Sequence, residues 1–134
     1  MAAPGVTRAL RRGLAVLALT VLLADLASCA RKKIYREGVS RIEAVVGETI
    51  VIELEANPTT GYTWTVRGRV DTGVVALMGF DYEPGPTSVV GGSGRQQIIF
   101  QALGRGTTTI RLEYRRQWEE TTPERSETIT LVVR

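Results

Sequence analysis

The chain has 134 residues, of which 43% are hydrophobic, 23% charged and only 6% aromatic, with a formal net charge of +3; that length fits one domain. It contains no histidine, one cysteine (Cys29) and two lysines (Lys32 and Lys33), so a Ser-His-Asp triad, a Cys-His pair, a zinc site of several His and Cys ligands and an intrachain disulfide are all excluded or starved of residues. A serine-lysine dyad could draw only on Lys32 or Lys33, both beside Cys29, which leaves carboxylates, tyrosines and backbone for any catalysis. The composition therefore argues against an enzyme, and no metal or cofactor is expected.

Arg8, Arg11 and Arg12 precede an apolar run from Leu14 to Leu23 that only Thr20 interrupts. A run of this length suits the core of a signal peptide and is too short to span a bilayer comfortably as a helix. Small residues then lead to a cysteine in Leu26-Ala27-Ser28-Cys29, which resembles the lipobox of bacterial lipoproteins, although Asp25 is an unusual neighbour. The resemblance implies a signal peptide over 1–28, cleavage before Cys29, a thioether lipid on Cys29 and a fatty acyl chain such as palmitate on the new amino terminus. It places the protein on the extracytoplasmic, periplasmic or cell-surface side of a membrane. Losing Arg8, Arg11, Arg12 and Asp25 lowers the basic residues from 17 to 14 and the acidic ones from 14 to 13, so the net charge falls from +3 to +1. The basicity belongs largely to the leader, and no basic stripe with interleaved aromatics supports nucleic-acid binding. Residues 29–38 are expected to be a lipidated tether, in which Arg31, Lys32, Lys33 and Arg36 could each gain about 1 kcal/mol near an anionic leaflet.

From Val39 to the end, hydrophobicity alternates with period two. A weaker strand, Ser40 to Val46, ends at the turn Gly47-Glu48. Ile50, Ile52 and Leu54 form one apolar face; Tyr62, Trp64 and Val66 form the next. Another strand is expected within Val74 to Tyr82. Ile98, Phe100 and Ala102 follow, then Thr108, Ile110, Leu112 and Tyr114 after the hairpin signal Gly104-Arg105-Gly106, and finally Ile129, Leu131 and Val133. Seven short strands separated by turn signals predict an all-β, antiparallel sandwich over 39–134. Glu83 to Gly94, rich in proline and glycine, reads as a long mobile loop.

Three loops stand out. In Asn57-Pro58-Thr59-Thr60-Gly61-Tyr62, Pro58 fixes its own φ and extends Asn57, whose side chain can hydrogen-bond the backbone ahead. Gly61 permits a positive φ at the entry to the next strand. Thr59 and Thr60 then form a stiff, thin tip. By themselves these residues also suit a plain turn between strands. Gly91-Gly92-Ser93-Gly94 has no Gly-Lys-Ser/Thr and no following helix, which rules out a phosphate cradle; alone it reads as a flexible linker. In Arg115-Arg116-Gln117-Trp118-Glu119-Glu120, a tryptophan at a charged loop tip lies outside the strand alternation, and Trp and Arg are enriched at interface hot spots.

Taken in order and spacing, Asn57 to Tyr62, the glycine loop and Arg116-x-Trp118-Glu119 resemble the chagasin-like inhibitors of papain-family cysteine peptidases, and the likeness covers essentially the whole mature chain. It implies an immunoglobulin-like sandwich whose three loops, between strands B and C, D and E, and F and G, line up at one end as a wedge. Asn57, Pro58, Thr59, Thr60, Gly61 and Tyr62 would enter the catalytic cleft, with Thr59 and Thr60 nearest the catalytic cysteine. Gly91, Gly92 and Gly94 would grip one side, and Arg116 with Trp118 the other. Two departures are visible: Gln117 stands where the family usually has proline, and the family's Gly-x-Gly-Gly reads Gly-Gly-Ser-Gly here.

A stiff loop can fill a peptidase groove without offering a carbonyl in line for attack, since hydrolysis needs aligned atoms about 3–3.5 Å apart. Three preformed loops also cut the ordering cost of association. The expectation is a monomeric, reversible, tight-binding inhibitor with a papain-like cysteine peptidase as partner. The alternative is an immunoglobulin-like surface lipoprotein that binds another protein and inhibits nothing. A glycosidase using Glu83, Glu119 or Glu120 lacks an apolar pocket to raise a carboxyl pKa.

Overall fold

Period-two patterning becomes eight strands in the computed structural model, which describes residues 31–86 and 91–134. The expected signal peptide, Cys29 and residues 87–90 of the long loop lie outside the described residues. The strands are β1 (Lys32–Arg36), β2 (Arg41–Ala44), β3 (Thr49–Ala56), β4 (Tyr62–Arg67), β5 (Val75–Glu83), β6 (Gly94–Ala102), β7 (Gly106–Arg116) and β8 (Arg125–Val133), with a 3-10 turn at Pro58–Thr60. They form two four-stranded sheets of order β1-β3-β6-β5 and β2-β8-β7-β4. Every apolar face read from the sequence turns inward. Ile50, Ile52, Leu54, Ile98 and Phe100 of one sheet meet Ile42, Trp64, Ile110, Leu112, Ile129 and Leu131 of the other in one buried core.

Two features differ from the sequence expectation. The pairs β3–β6, β5–β6, β4–β7 and β7–β8 are antiparallel, but the edge pairs β1–β3 and β2–β8 are parallel. The second is an eighth strand: β1 is drawn from the stretch expected to be tether. Its burial pattern is almost wholly exposed, so it carries no hydrophobic alternation to announce it. Backbone pairing of Lys32 with Thr49 through Arg36 with Glu53 holds it in place.

Side chains at the foot of β1 strengthen that pairing. Glu48 is buried in the turn before β3, where its carboxylate accepts the Val45 N–H at 2.8 Å and meets Lys33 Nζ at 3.2 Å. Burial alone would push this carboxyl up; the Val45 hydrogen bond, Lys33 and the charge of Arg31 outweigh it and hold the pKa below the ordinary 4.5. A carboxyl whose pKa is depressed by folding stabilises the fold above its unfolded pKa, and that contribution is lost as pH falls through the folded pKa. Glu48→Gln should therefore lower the denaturation midpoint at pH 7, and the gap to wild type should close as the solution is taken below pH 4.5. Urea titrations of both proteins across that range check this; a gap that stays constant with pH would show that the ionised form of Glu48 contributes nothing.

Candidate functional site

The site lies at the end of the sandwich where β3 turns into β4, β5 into β6 and β7 into β8. Asn57 leaves β3 with φ −130° and ψ 89°, as the following proline requires, and caps the 3-10 turn by accepting the Thr59 N–H on its side-chain oxygen at 3.3 Å. Backbone bonds from Thr60 N–H to Asn57 O (3.2 Å) and from Gly61 N–H to Pro58 O (3.0 Å) close the turn. The Thr60 hydroxyl donates to Asn57 O at 2.7 Å, and the Asn57 N–H donates to the buried Tyr114 hydroxyl at 2.8 Å. Nearly every polar group of the loop is thus engaged internally, while Pro58, Thr59 and Thr60 remain exposed. A loop held this way has little conformational entropy left to lose on binding.

The other two loops are fastened to this one. Asn57 Nδ2 donates to Gly91 O at 2.8 Å, which joins the glycine loop to the central loop. Arg116 Nε donates to Thr60 O at 3.1 Å, which joins the third loop from the other side. The Arg116 guanidinium also lies 4.7 Å from the centre of the Tyr62 ring and pairs with Glu119 at 3.1 Å. The Trp118 ring rests on Gly61: a Cβ added to that glycine would come within 2.5 Å of Trp118 Cη2. Gly61 has φ +82° as well, so both its backbone conformation and its neighbour demand glycine. Trp118 itself is 72% exposed.

Glycines of the second loop divide in role. Gly91 sits at the exposed tip with φ +76°. Gly94, expected among the loop residues, is instead the buried first residue of β6; a Cβ there would collide with Glu83 O and the Tyr82 hydroxyl. Its lack of a side chain lets β5 and β6 close on each other and does not serve the tip. Gly92 is half-buried between them.

Three residues that set this geometry were not singled out as site residues in the sequence. Arg115 sends its guanidinium to Glu119 O at 3.1 Å and Thr121 O at 2.8 Å and to Glu113 at 3.1 Å. It braces the third loop from within, so the loop is held although Gln117 replaces a proline. Gln96 clamps the two sheets just beneath the loops. Its side-chain oxygen accepts the Trp64 N–H and its Nε2 donates to Trp64 O, both at 2.8 Å. Tyr114 supplies the hydroxyl under Asn57 and packs between Tyr62 and Trp64, with ring centres 5.4 and 5.2 Å away. The Arg-Arg doublet at 115–116 was the one available hint, since two adjacent arginines on a strand must face opposite ways.

Residues 43–133 match the profile of the family described as Chagasin family peptidase inhibitor I42. The chain belongs to this family. Amoebiasin-2 of Entamoeba histolytica is 39% identical to it over 88 residues, covering 65% of this chain and 72% of that protein. Chagasin of Trypanosoma cruzi is 29% identical over 80 residues, covering 58% and 73% respectively. The crystal structure of the cysteine protease inhibitor EhICP2 from Entamoeba histolytica has the same fold, with a TM-score of 0.66 and 33% identity, over 78% of this chain and 97% of that one. The family is one of peptidase inhibitors, and the all-β sandwich found here is its fold.

Proposed function

We propose that this protein inhibits papain-type cysteine peptidases, reversibly and as a non-enzymatic monomer, by seating its three joined loops in and around the catalytic cleft. The observation that carries this reading is the pair of hydrogen bonds that make the loops one body, Asn57 to Gly91 and Arg116 to Thr60. A generic adhesive tip has no need of a central loop held rigid from both sides. A wedge does, because every degree of freedom frozen beforehand is one that binding need not freeze. The central tip carries only small side chains, which suits entry into a groove. Its backbone is committed to the 3-10 turn, which keeps the peptide carbonyls from the extended course a scissile bond needs. Trp118 and Arg116 stand to one side as anchors and Gly91 to the other.

Titration against papain of known active-site concentration tests the reading. Stoichiometric, competitive loss of activity that recovers on dilution is expected, with the inhibitor chain intact afterwards. Full papain activity at inhibitor excess would leave only the adhesive alternative standing, and cleavage within 57–61 would make the loop a substrate.

The same proposal puts the protein on the extracytoplasmic side of a membrane, periplasmic or cell-surface, through a lipid on Cys29. The motif Leu26-Ala27-Ser28-Cys29 behind a basic, apolar leader supports it. Cells fed a labelled fatty acid should mark the wild-type protein and not Cys29→Ala; equal label in both would remove the anchor.

A further inference from the structure

The pole of the sandwich opposite the loops has a surface of its own. β3 starts there at Thr49 and runs eight residues to Ala56 before the central loop, a separation of about 25 Å at strand rise. β1 runs parallel to β3, so Lys32 stands at this far pole. Arg31 is fastened there as well, its carbonyl accepting the Thr49 N–H at 2.9 Å. The turn after β2 lies at the same pole, bonded from Val46 N–H to Arg134 O (3.2 Å) and from Gly47 N–H to Ala102 O (2.9 Å). The β6–β7 hairpin joins them at Leu103 and Arg105.

Two properties of this pole coincide. Val45, Val46 and Leu103 are large apolar side chains about half exposed, three of the eight such residues found among the described ones. Around them Arg31, Lys32 and Arg105 have no ion-pair partner among the described residues. Two further cations of this pole are paired, Lys33 with Glu48 and Arg134 with Glu43, as are those toward the loop end, where Arg36 and Arg95 face Glu53, Arg116 faces Glu119, and Arg125 faces Glu37. Apolar side chains beside cations that lack an ion-pair partner suit a surface that lies on anionic lipid: the apolar side chains enter the headgroup boundary while the cations meet phosphates.

We infer that this pole is a contact surface for anionic phospholipid, so that the sandwich stands on the membrane with its loops pointing away from it. The inference rests on the membrane side of the reading above and adds to it. Since Lys32 is already strand, only Ala30 separates Cys29 from the folded edge at Arg31, two residue steps with a reach of at most about 7 Å. A lipid on Cys29 would bring this pole down to the bilayer, and the contact surface would hold it upright. The wedge is then presented to peptidases arriving from solution.

Fluorescence quenching tests it. The full chain is expressed, recovered from membranes as the cell processes it, and reconstituted into phosphatidylcholine vesicles with or without phosphatidylglycerol. An environment-sensitive fluorophore is placed on Leu103→Cys or on Thr60→Cys, with wild type as the labelling control, and nitroxide-bearing headgroups act as quencher. Blue-shifted, quenched emission is expected at position 103, several-fold stronger in the anionic vesicles than in the neutral ones, with none at position 60. Combining Lys32→Gln and Arg105→Gln should reduce the signal at 103 in anionic vesicles to its level in neutral ones while papain inhibition stays unchanged, which shows that the fold survives. Equal quenching at the two positions, or equal signal in neutral and anionic vesicles, overturns the inference. A blue shift at 103 that grows with protein concentration and needs no vesicles would mean that a second copy covers the pole, and it overturns the inference too. The mass of the recovered protein reports the lipid on Cys29 separately, so loss of the anchor reading and loss of the contact surface are distinct results.

Discussion

Replacing Trp118 with alanine is expected to weaken binding to a papain-type peptidase by about 2–4 kcal/mol, the range of an aromatic hot spot. Unfolding free energy should move by no more than about 0.5 kcal/mol, as for an ordinary surface change. The asymmetry follows from where the ring sits. It is 72% exposed, so truncation uncovers little that folding had buried. A partner surface, however, would gain a large amphipathic ring with only two rotatable bonds to freeze. The ring is also already placed, resting on Gly61 beside the central tip, and its neighbour Arg116 is tied to Thr60 O. Inhibition constants and urea midpoints of the variant check both halves. Unchanged affinity would remove Trp118 from the interface, and a large drop in midpoint would make it a packing residue.

Gly61→Ala should damage inhibition through a different route. A side chain at φ +82° sits in the left-handed region, which costs about 1–2 kcal/mol of stability. The added methyl also meets the Trp118 ring at 2.5 Å, so the ring must leave its seat. Affinity should therefore fall by about 2 kcal/mol or more, comparable with losing the aromatic anchor itself. The two changes act on one contact and should not add. In a Trp118→Ala background, Gly61→Ala should keep its stability penalty and lose most of its further effect on affinity. A double-mutant cycle on inhibition constants measures this. Full additivity would mean that the ring is placed by something other than the glycine beneath it.

Within the chain, information about the fold and about the site is carried differently. The sandwich was legible because each long strand writes its buried face in alternate residues: Ile50, Ile52 and Leu54, or Ile110, Leu112 and Tyr114, cannot turn outward without exposing the whole set. The central loop was legible for a related reason. Asn57, Pro58 and Gly61 act on backbone angles within one turn, so their effect is local and the sequence states it directly. By itself the sequence also singled out Arg116 and Trp118, because a large aromatic between charges has no place in an alternating strand.

Tertiary structure alone decided the rest. β1 is held by backbone pairing and a buried carboxylate rather than by an apolar face, and backbone groups are the same in every residue, so Lys32 to Arg36 read as tether. Gly94 looked like part of a loop tip until β5 closed against it, because a glycine needed for close approach is indistinguishable in sequence from one needed for freedom. The joining of the three loops depends on Asn57, Gly91, Thr60 and Arg116, which are far apart along the chain and meet only when the two sheets are clamped by Gln96 on Trp64. Hydrogen bonds between such distant groups have no periodicity. Their existence follows from where the packed core leaves the ends of the strands.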